Sequence, residues 1–194
     1  MAHAERASTP MTVLQFRAWA DRQPGRWELV DGQPRAMAPA STTHGLIQSR
    51  AGFLIERHLE EAGSPCRVVV EAPIVPASFR RSNARATDLA VTCSPPNEDE
   101  WELRGAVFLL EVLSPSNEQD TRNNVWAYMT GPSARPILLL ESTKVRGEMF
   151  ARGHDGTWPE EAQELLATDP VHVEQIGFTR PLGDFYARTS LALP

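Results

Sequence analysis

The chain has 194 residues, of which 41% are hydrophobic and 23% are charged, and its formal net charge is −6. These values lie near globular averages and exclude collagen-like, coiled-coil and disordered chains. The acidic balance also argues against a protein that coats nucleic acid through bulk positive charge, but it does not exclude a local basic groove. A chain of this length predicts one domain, which we expect over residues 11–194, after a small polar stretch, residues 1–10, that we expect to be disordered.

Cysteine usage and the apolar runs indicate the compartment. Cys66 and Cys93 are the two cysteines, and they form no CxxC pair, so neither a disulfide framework nor a Cys-rich zinc site is predicted. We expect both thiols to pack as small hydrophobic side chains in a reducing, cytoplasmic environment. The start of the chain lacks the apolar core of a secretory signal, and no apolar run approaches the ~20 residues of a membrane helix. No membrane association is expected.

The first third of the chain predicts a helix, a hairpin and a long helix. Thr12 can cap a short helix that ends near Arg22. Asp-Gly between two short extended runs, Trp27–Val30 and Arg35–Ala38, indicates a β-hairpin. Apolar residues then recur at helical spacing from about His44 to Ala62, after hydroxyl residues suited to helix capping.

The remainder alternates buried strands with one helix. Strands are predicted over Arg67–Val75, Thr87–Thr92, Ala106–Leu113, Ile137–Leu140 and Val145–Ala151, with a helix over Asp120–Met129. A basic loop with Arg80, Arg81 and Arg85 precedes the second strand, and an acidic loop over Ser94–Gly105 follows it. The last forty or so residues give weak signals, a polar insert around Trp158 and a strand near Val171–Val173. This order predicts an α/β (α+β) fold in which helices flank a central mixed sheet.

Two carboxylates inside apolar strands are the strongest chemical signal. Asp88 lies in T-D-L-A-V and Glu111 in F-L-L-E-V-L. A strand, a loop and a return strand would bring them side by side. An unpaired buried carboxylate is very unfavourable, and two that converge suit Mg²⁺, which binds a few carboxylates and retains several waters. The alternative is that each lies at a strand end and reaches solvent or an arginine.

Several strings together resemble a known family. They are W-E-L-V-D-G at 27–32, T-T-H-G at 42–45, D-L-A-V at 88–91, L-E-V-L-S-P-S at 110–116, and D-T-R followed by A-Y in the next helix. In order and spacing, from about Leu14 to Phe150, the chain resembles the Uma-type ("Uma two") family of the PD-(D/E)XK, restriction-endonuclease-like superfamily.

The resemblance implies a fold, a chemistry and a set of site residues. The fold is a central mixed sheet between helices, with the site on two adjacent strands. The chemistry is hydrolysis of DNA phosphodiesters with Mg²⁺ or Mn²⁺, in which the metal activates water and neutralises developing charge. Asp88, Glu111 and the carbonyl of Val112 become metal ligands, and Glu28 and His44 match accessory site positions.

The family's lysine is missing, which is the main departure from the pattern. The residue two after Glu111 is Leu113, so there is no E-x-K. The family's lysine is displaced onto the next helix, four residues before the tyrosine, and that position is Asn124 here. Loss of one transition-state donor typically lowers turnover by ~10²–10³. We therefore expect low cleavage that Asn124→Lys raises; Arg122 is turned away on its helix, and Lys144 is expected in a hairpin turn.

Each accessory residue also has a purely structural interpretation. Glu28 could be a solvent-facing strand residue, and His44 an ordinary residue of a first helical turn. The basic loop could line a phosphate approach or simply be solvated. The chain has no P-loop, GxGxxG, GxSxG or HExxH motif, so nucleotide-binding, serine-hydrolase and zinc sites are not predicted.

Three functions follow in order of preference. The first is a magnesium-dependent endonuclease acting on DNA, with a homodimer as a further expectation. The second is a nuclease-fold protein without catalysis that acts as a binding or oligomer-forming module. The third is an unrelated domain whose buried carboxylates are satisfied by arginines. Metal binding separates the first from the third, and turnover separates the first from the second.

Overall fold

The computed structural model describes residues 9–77, 80–95, 101–130, 135–153 and 155–192. These residues form three α-helices and ten strands. In chain order they are α1 (Val13–Ala20), β1 (Trp27–Val30), β2 (Gln33–Ala36), α2 (Thr42–Glu61), β3 (Arg67–Ile74), β4 (Arg85–Thr92), β5 (Ala106–Leu113), α3 (Glu118–Met129), β6 (Ile137–Glu141), β7 (Arg146–Phe150), β8 (Gln163–Leu166), β9 (Pro170–Val173) and β10 (Phe178–Pro181). Residues 1–8, most of the predicted disordered start, and residues 96–100 of the acidic loop lie outside the described part.

A six-stranded mixed sheet in the order β3-β4-β5-β6-β7-β8 forms the centre of the fold. Neighbouring strands are antiparallel except β5 and β6, which run parallel, with Leu109 opposite Ile137. Helix α3 lies between β5 and β6 in the chain and makes the crossover that a parallel pair requires. The predicted α+β architecture, a mixed sheet flanked by helices, is confirmed.

The two faces of the sheet bury separate apolar clusters because successive strand residues point to opposite sides. On one face, Leu89 and Leu110 pack with the apolar stripe of α2. On the other face, Ala90 and Leu109 pack with α3. Asp88 and Glu111 have the same strand parity as this second pair, so they lie on the face that α3 covers.

The β1–β2 hairpin is a small separate sheet that docks beside β4. Its strands pair only with each other, and Leu29 bridges Ala84 through two backbone hydrogen bonds of 2.8 and 3.0 Å. Phe16 of α1 packs against both residues in a third apolar cluster. Docking this hairpin brings Glu28 to the start of β4.

The C-terminal segment contributes more to the core than its sequence indicates. Strand β8 forms an edge of the large sheet, and β9 pairs with β10 in a hairpin that the sequence analysis predicted only in its first strand. A 3₁₀ helix, Leu182–Tyr186, follows, and three of its side chains are fully buried against α2 and the sheet. The single proton of the Tyr186 hydroxyl is shared between two backbone carbonyl oxygens, at 2.9 and 2.8 Å.

The two cysteines are joined, so the prediction of two free thiols is wrong. Arg67 pairs with Thr92, and the next pair of this antiparallel ladder sets Cys66 opposite Cys93. Their pairing depends on a β3–β4 register that the sequence alone did not show. Because the cysteines form a disulfide, they no longer support a reducing compartment, and the cytoplasmic location stays a prediction.

Among the described residues, no helix is both long and apolar enough to cross a bilayer.

Candidate metal and active site

Asp88 and Glu111 lie opposite each other on the central strands β4 and β5. The ladder pairs Leu89 with Leu110, and the acidic residues form the next pair. Each carboxylate accepts a hydrogen bond from the partner strand: Asp88 Oδ2 from the Val112 amide at 2.7 Å, and Glu111 Oε2 from the Asp88 amide at 3.3 Å. Thr87, the residue before Asp88, donates its hydroxyl to the Leu110 carbonyl at 3.1 Å.

Burial makes the ionised form of Glu111 unfavourable. The residue is only 4% exposed, and among the described residues its Oε1 forms no hydrogen bond of ordinary geometry, with the Tyr128 hydroxyl as its polar neighbour. Burial first, and then the charges of Asp88 and Glu28, raise the pKa of Glu111 well above its usual range. A carboxylate in this state is stabilised by a proton or by a cation.

His44 orients Asp88 from the first turn of α2. The helix is capped by Ser41, whose hydroxyl accepts the His44 amide at 3.2 Å. The imidazole Nε2 lies 3.1 Å from Asp88 Oδ1, and Nδ1 lies 3.2 Å from the Ser114 hydroxyl. Because both ring nitrogens have partners, His44 fixes the acidic side chain rather than facing the cavity as a free base.

Glu28, Asn124 and Arg85 form a buried chain of hydrogen bonds. Glu28 Oε1 accepts from the Ala86 amide at 2.9 Å and from Asn124 Nδ2 at 3.0 Å. Asn124 Oδ1 accepts from Arg85 Nη1 at 2.7 Å, and Asn83 Oδ1 accepts from Arg85 Nη2 at 2.9 Å. Burial raises the pKa of Glu28, and the Ala86 hydrogen bond and the Arg85 charge oppose that effect.

The acidic pair lines one cavity of about 110 Å³ together with Glu28, Arg85 and Asn124, while His44 and Asn83 lie behind its walls. Among the described residues, the ionisable side chains on its walls are four carboxylates and two guanidinium groups: Glu28, Asp88, Glu111, Asp120, Arg35 and Arg85. The exposed pair Arg35–Asp120, 3.1 Å apart, lies at the rim. One divalent cation would bring the formal charge of the walls to zero.

The donor set fits a magnesium-like ion better than a transition metal. In the described ranges, no group of three or more His, Cys, Asp and Glu side chains is arranged to hold a metal. Mg²⁺ needs fewer protein ligands, commonly one or two carboxylates with retained waters, and Asp88 with Glu111 supplies that pair. Glu111 Oε1, which forms no ordinary hydrogen bond within the described residues, is the atom most in need of a cation. The Val112 amide binds Asp88, and coordination by the Val112 carbonyl stays a prediction.

The candidate cations named from the sequence differ in whether they reach the cavity. Arg122 is held away from the cavity by a bidentate ion pair with Glu148, at 3.0 and 2.9 Å, and Lys144 pairs with Glu141 in the turn before β7. Arg85, which we had placed in a basic loop, is instead the first residue of β4 and is 7% exposed. Its position two residues before the polar Thr87 gave no sign of burial in the sequence.

Tyr128 is a second site residue that the sequence analysis used only as a landmark. Its hydroxyl is buried on the α3 face beside the Glu111 carboxylate, with which it interacts, although among the described residues neither this hydroxyl nor Glu111 Oε1 forms a hydrogen bond of ordinary geometry. Burial and the charges of Glu111 and Glu28 raise the pKa of Tyr128, so it stays a neutral phenol beside the carboxylates. A buried aromatic in a helix is ordinarily a core residue, and no pattern in the sequence distinguished this one.

A mixed sheet between helices, with an acidic pair on adjacent central strands, defines a restriction-endonuclease-like protein. Residues 13–182 match the family Uma2, described as "Putative restriction endonuclease", and the chain belongs to this family. The predicted family and fold class are therefore confirmed.

Two further similarities cover nearly the whole chain. The uncharacterized protein slr1290 of Synechocystis sp. is 28% identical over 182 residues, which span 92% of this chain and 93% of that protein. A crystal structure described as a putative nuclease belonging to DUF820, from Anabaena variabilis, superposes with a TM-score of 0.69 at 16% identity, over 91% of this chain and 98% of that one. At this identity the superposition shows a shared fold.

Proposed function

We propose that the protein is a metal-dependent endonuclease that hydrolyses DNA phosphodiester bonds in the cavity between β4, β5 and α3. The observation that carries the proposal is the opposed pair Asp88 and Glu111, with a buried Glu111 Oε1 that forms no ordinary hydrogen bond in the described part of the chain. Membership of a family described as "Putative restriction endonuclease" supports the reaction class and DNA as the substrate.

Asp88, Glu111 and the Val112 carbonyl would hold Mg²⁺ or Mn²⁺. When bound, such an ion supplies a Lewis acid for the phosphoryl oxygens and lowers the pKa of a coordinated water. His44 and the Val112 amide each hold one oxygen of Asp88, which limits the rotation of that carboxylate. Preorganised ligands of this kind are what tight, geometrically demanding Mg²⁺ binding requires.

Hydrolysis joins the oxygen of one water to phosphorus and breaks the bond from phosphorus to the leaving sugar oxygen. One proton must leave the attacking water, and one must reach the leaving oxygen. Among the described residues, both hydrogen bonds to Glu28 use its Oε1, so Oε2 is the oxygen left for a cavity water and for that first proton. Solvent at the exposed rim can supply the second.

The test is metal binding followed by cleavage. At an Mg²⁺ or Mn²⁺ concentration 100 times Kd, linkage predicts a stabilisation of ~2.7 kcal/mol, which raises Tm by ~5–11 °C for a chain of this size. Calorimetry and thermal melts should give this shift in the wild type and not in Asp88→Asn. Glu148→Gln, a carboxylate of β7 outside the cavity, is the matched control and should keep the shift.

Plasmid nicking in the same buffers decides between the two nuclease-fold hypotheses. Cleavage that requires the metal and is abolished by Asp88→Asn supports the proposal. Metal binding without cleavage, even after Asn124→Lys, favours the binding-module alternative. Equal metal-induced shifts in wild type and Asp88→Asn refute the metal site itself.

A further inference from the structure

We propose that Arg85 contacts the backbone phosphate of the substrate and supplies the fixed positive charge of the site. The inference rests on the proposed function and adds to it Arg85 of β4, which the sequence analysis named only as one arginine of a basic loop that could line a phosphate approach. The expected cation position on α3 is occupied by Asn124, which has no charge but binds Arg85 directly, at 2.7 Å.

Burial and immobilisation distinguish Arg85 from the other arginine of the cavity. Arg85 is 7% exposed, and amide oxygens on two sides, from Asn83 and Asn124, hold its guanidinium. Arg35 lies at the exposed rim and is paired with Asp120. A buried guanidinium fixed before the substrate arrives loses little side-chain freedom on binding.

The partners of Arg85 leave its charge available. Among the described residues it forms hydrogen bonds to two neutral amides and no ion pair, and its buried Nε has no partner. A carboxylate in direct contact would neutralise the guanidinium, whereas amide oxygens orient it without doing so. The guanidinium fork matches the oxygens of a phosphodiester.

The charge balance of the cavity leaves no surplus positive charge, because one divalent cation, Arg35 and Arg85 together only offset the four carboxylates. Arg85 is therefore distinguished by its burial and its contacts rather than by net charge. A divalent cation would offset Asp88 and Glu111, and Arg35 is paired with Asp120. Arg85 then faces Glu28 through the amide of Asn124 rather than by direct contact. An arriving phosphodiester adds one negative charge, and Arg85 is the buried cation of the described cavity wall that can meet it.

Three variants test the inference, and Arg57→Gln is their control. This control removes an exposed arginine on α2 that does not line the cavity. Arg85→Gln removes the charge, Arg85→Lys keeps it, and Arg85→Gln with Asn124→Lys moves it onto α3. Three quantities are measured: Mn²⁺ affinity by calorimetry, binding of a DNA duplex in EDTA across salt concentrations, and duplex cleavage with Mn²⁺.

We expect Arg85→Gln to lower cleavage by ~10²–10³ and to reduce the salt slope of DNA binding by about 1, the signature of one lost phosphate contact. Its Mn²⁺ affinity should be unchanged or higher, because a nearby cation has been removed. Arg85→Lys and the double variant should each recover at least tenfold of the lost cleavage. Because Arg85 already supplies the charge in this inference, Asn124→Lys alone should add nothing, which differs from the expectation drawn from the sequence.

Different outcomes overturn different claims. A wild type that cleaves and an Arg85→Gln variant that cleaves equally, with an unchanged salt slope, overturn the role of Arg85 alone. Loss of Mn²⁺ binding in Arg85→Gln, or cleavage that neither charged variant recovers, shows that Arg85 only supports the structure. A wild type that neither binds nor cleaves DNA overturns the proposed function, and the role of Arg85 with it.

Discussion

Replacing Glu111 by glutamine should make the metal-free protein more stable. The carboxylate is fully buried, its Oε1 forms no hydrogen bond of ordinary geometry among the described residues, and Asp88 and Glu28 repel its charge. A glutamine of nearly the same shape can keep the hydrogen bond that Oε2 accepts from the Asp88 amide, and it adds two N–H donors in an acidic surrounding.

The size of the effect follows from the cost of an unsatisfied buried group, ~1–3 kcal/mol. For a chain of this length, each kcal/mol shifts Tm by ~2–4 °C. Glu111→Gln in EDTA at neutral pH should therefore melt ~2–12 °C above the wild type. Added Mg²⁺ should reverse the order, because it stabilises only the protein that retains both carboxylates.

The pH dependence has a defined sign. Because the pKa of Glu111 is raised in the folded protein, the wild type gains stability as pH falls through that pKa, and the advantage of Glu111→Gln disappears below the pKa of an unfolded glutamate. Glu148 is the matched control. Its hydrogen bonds to Arg122 lower its pKa, so Glu148→Gln should destabilise by ~1 kcal/mol at neutral pH, and the loss should vanish as pH falls through the lowered pKa.

Differential scanning fluorimetry in EDTA, from pH 8 down to below the ordinary glutamate pKa of ~4.3, would measure both variants. A Glu111→Gln protein that melts below the wild type at neutral pH would refute the reasoning, since it would mean that the carboxylate is well solvated or already compensated. A gain that does not shrink with falling pH would show that packing, rather than charge, is responsible.

Three other outcomes are expected. His44→Phe should weaken Mn²⁺ binding about 10–100-fold in calorimetry, because Asp88 loses the group that orients it; unchanged affinity would contradict this. Tyr186→Phe should cost about 1–3 kcal/mol in urea unfolding, because two buried carbonyls lose their donor; a change under 0.5 kcal/mol would show that water replaces it. Reduction of the Cys66–Cys93 bond should lower the free energy of unfolding by ~3 kcal/mol, since the bond constrains a loop with a sequence separation of 27 in the unfolded chain. A purified protein with two titratable thiols would argue against the bond.

The acidic pair was predictable because it broke a strong pattern. A single carboxylate in each of two apolar strands stands out against its neighbours, and the antiparallel pairing of β4 and β5 then sets Asp88 opposite Glu111. The main helices and strands followed from the same contrast between apolar and polar residues. Because such contrasts lie between residues that are close together in the chain, a single sequence is enough to show them.

The parts that the sequence did not show depend on contacts between distant segments. Strand β8 exposes three of its four residues and carries one buried leucine, too little alternation to identify an edge strand. The disulfide required the β3–β4 register. Arg85 is buried because the β1–β2 hairpin and α3 close over it, and those segments lie more than 30 residues away on either side.

The docking of the β1–β2 hairpin gives this protein a mode of local unfolding. No ladder of the six-stranded sheet runs through the hairpin, so it can detach while the two large apolar clusters stay intact. Asn83 binds Asp31 of the hairpin turn as well as Arg85, so one opening would remove Glu28, the base assigned to the cavity, and would free the side chain of Asn83 from the hairpin while Arg85 stays on β4. The amides of Leu29 and Ala84 would then exchange with deuterium together, at a lower free energy than those of β4 and β5. Such an opening would widen the cavity while its acidic floor remained fixed in the sheet.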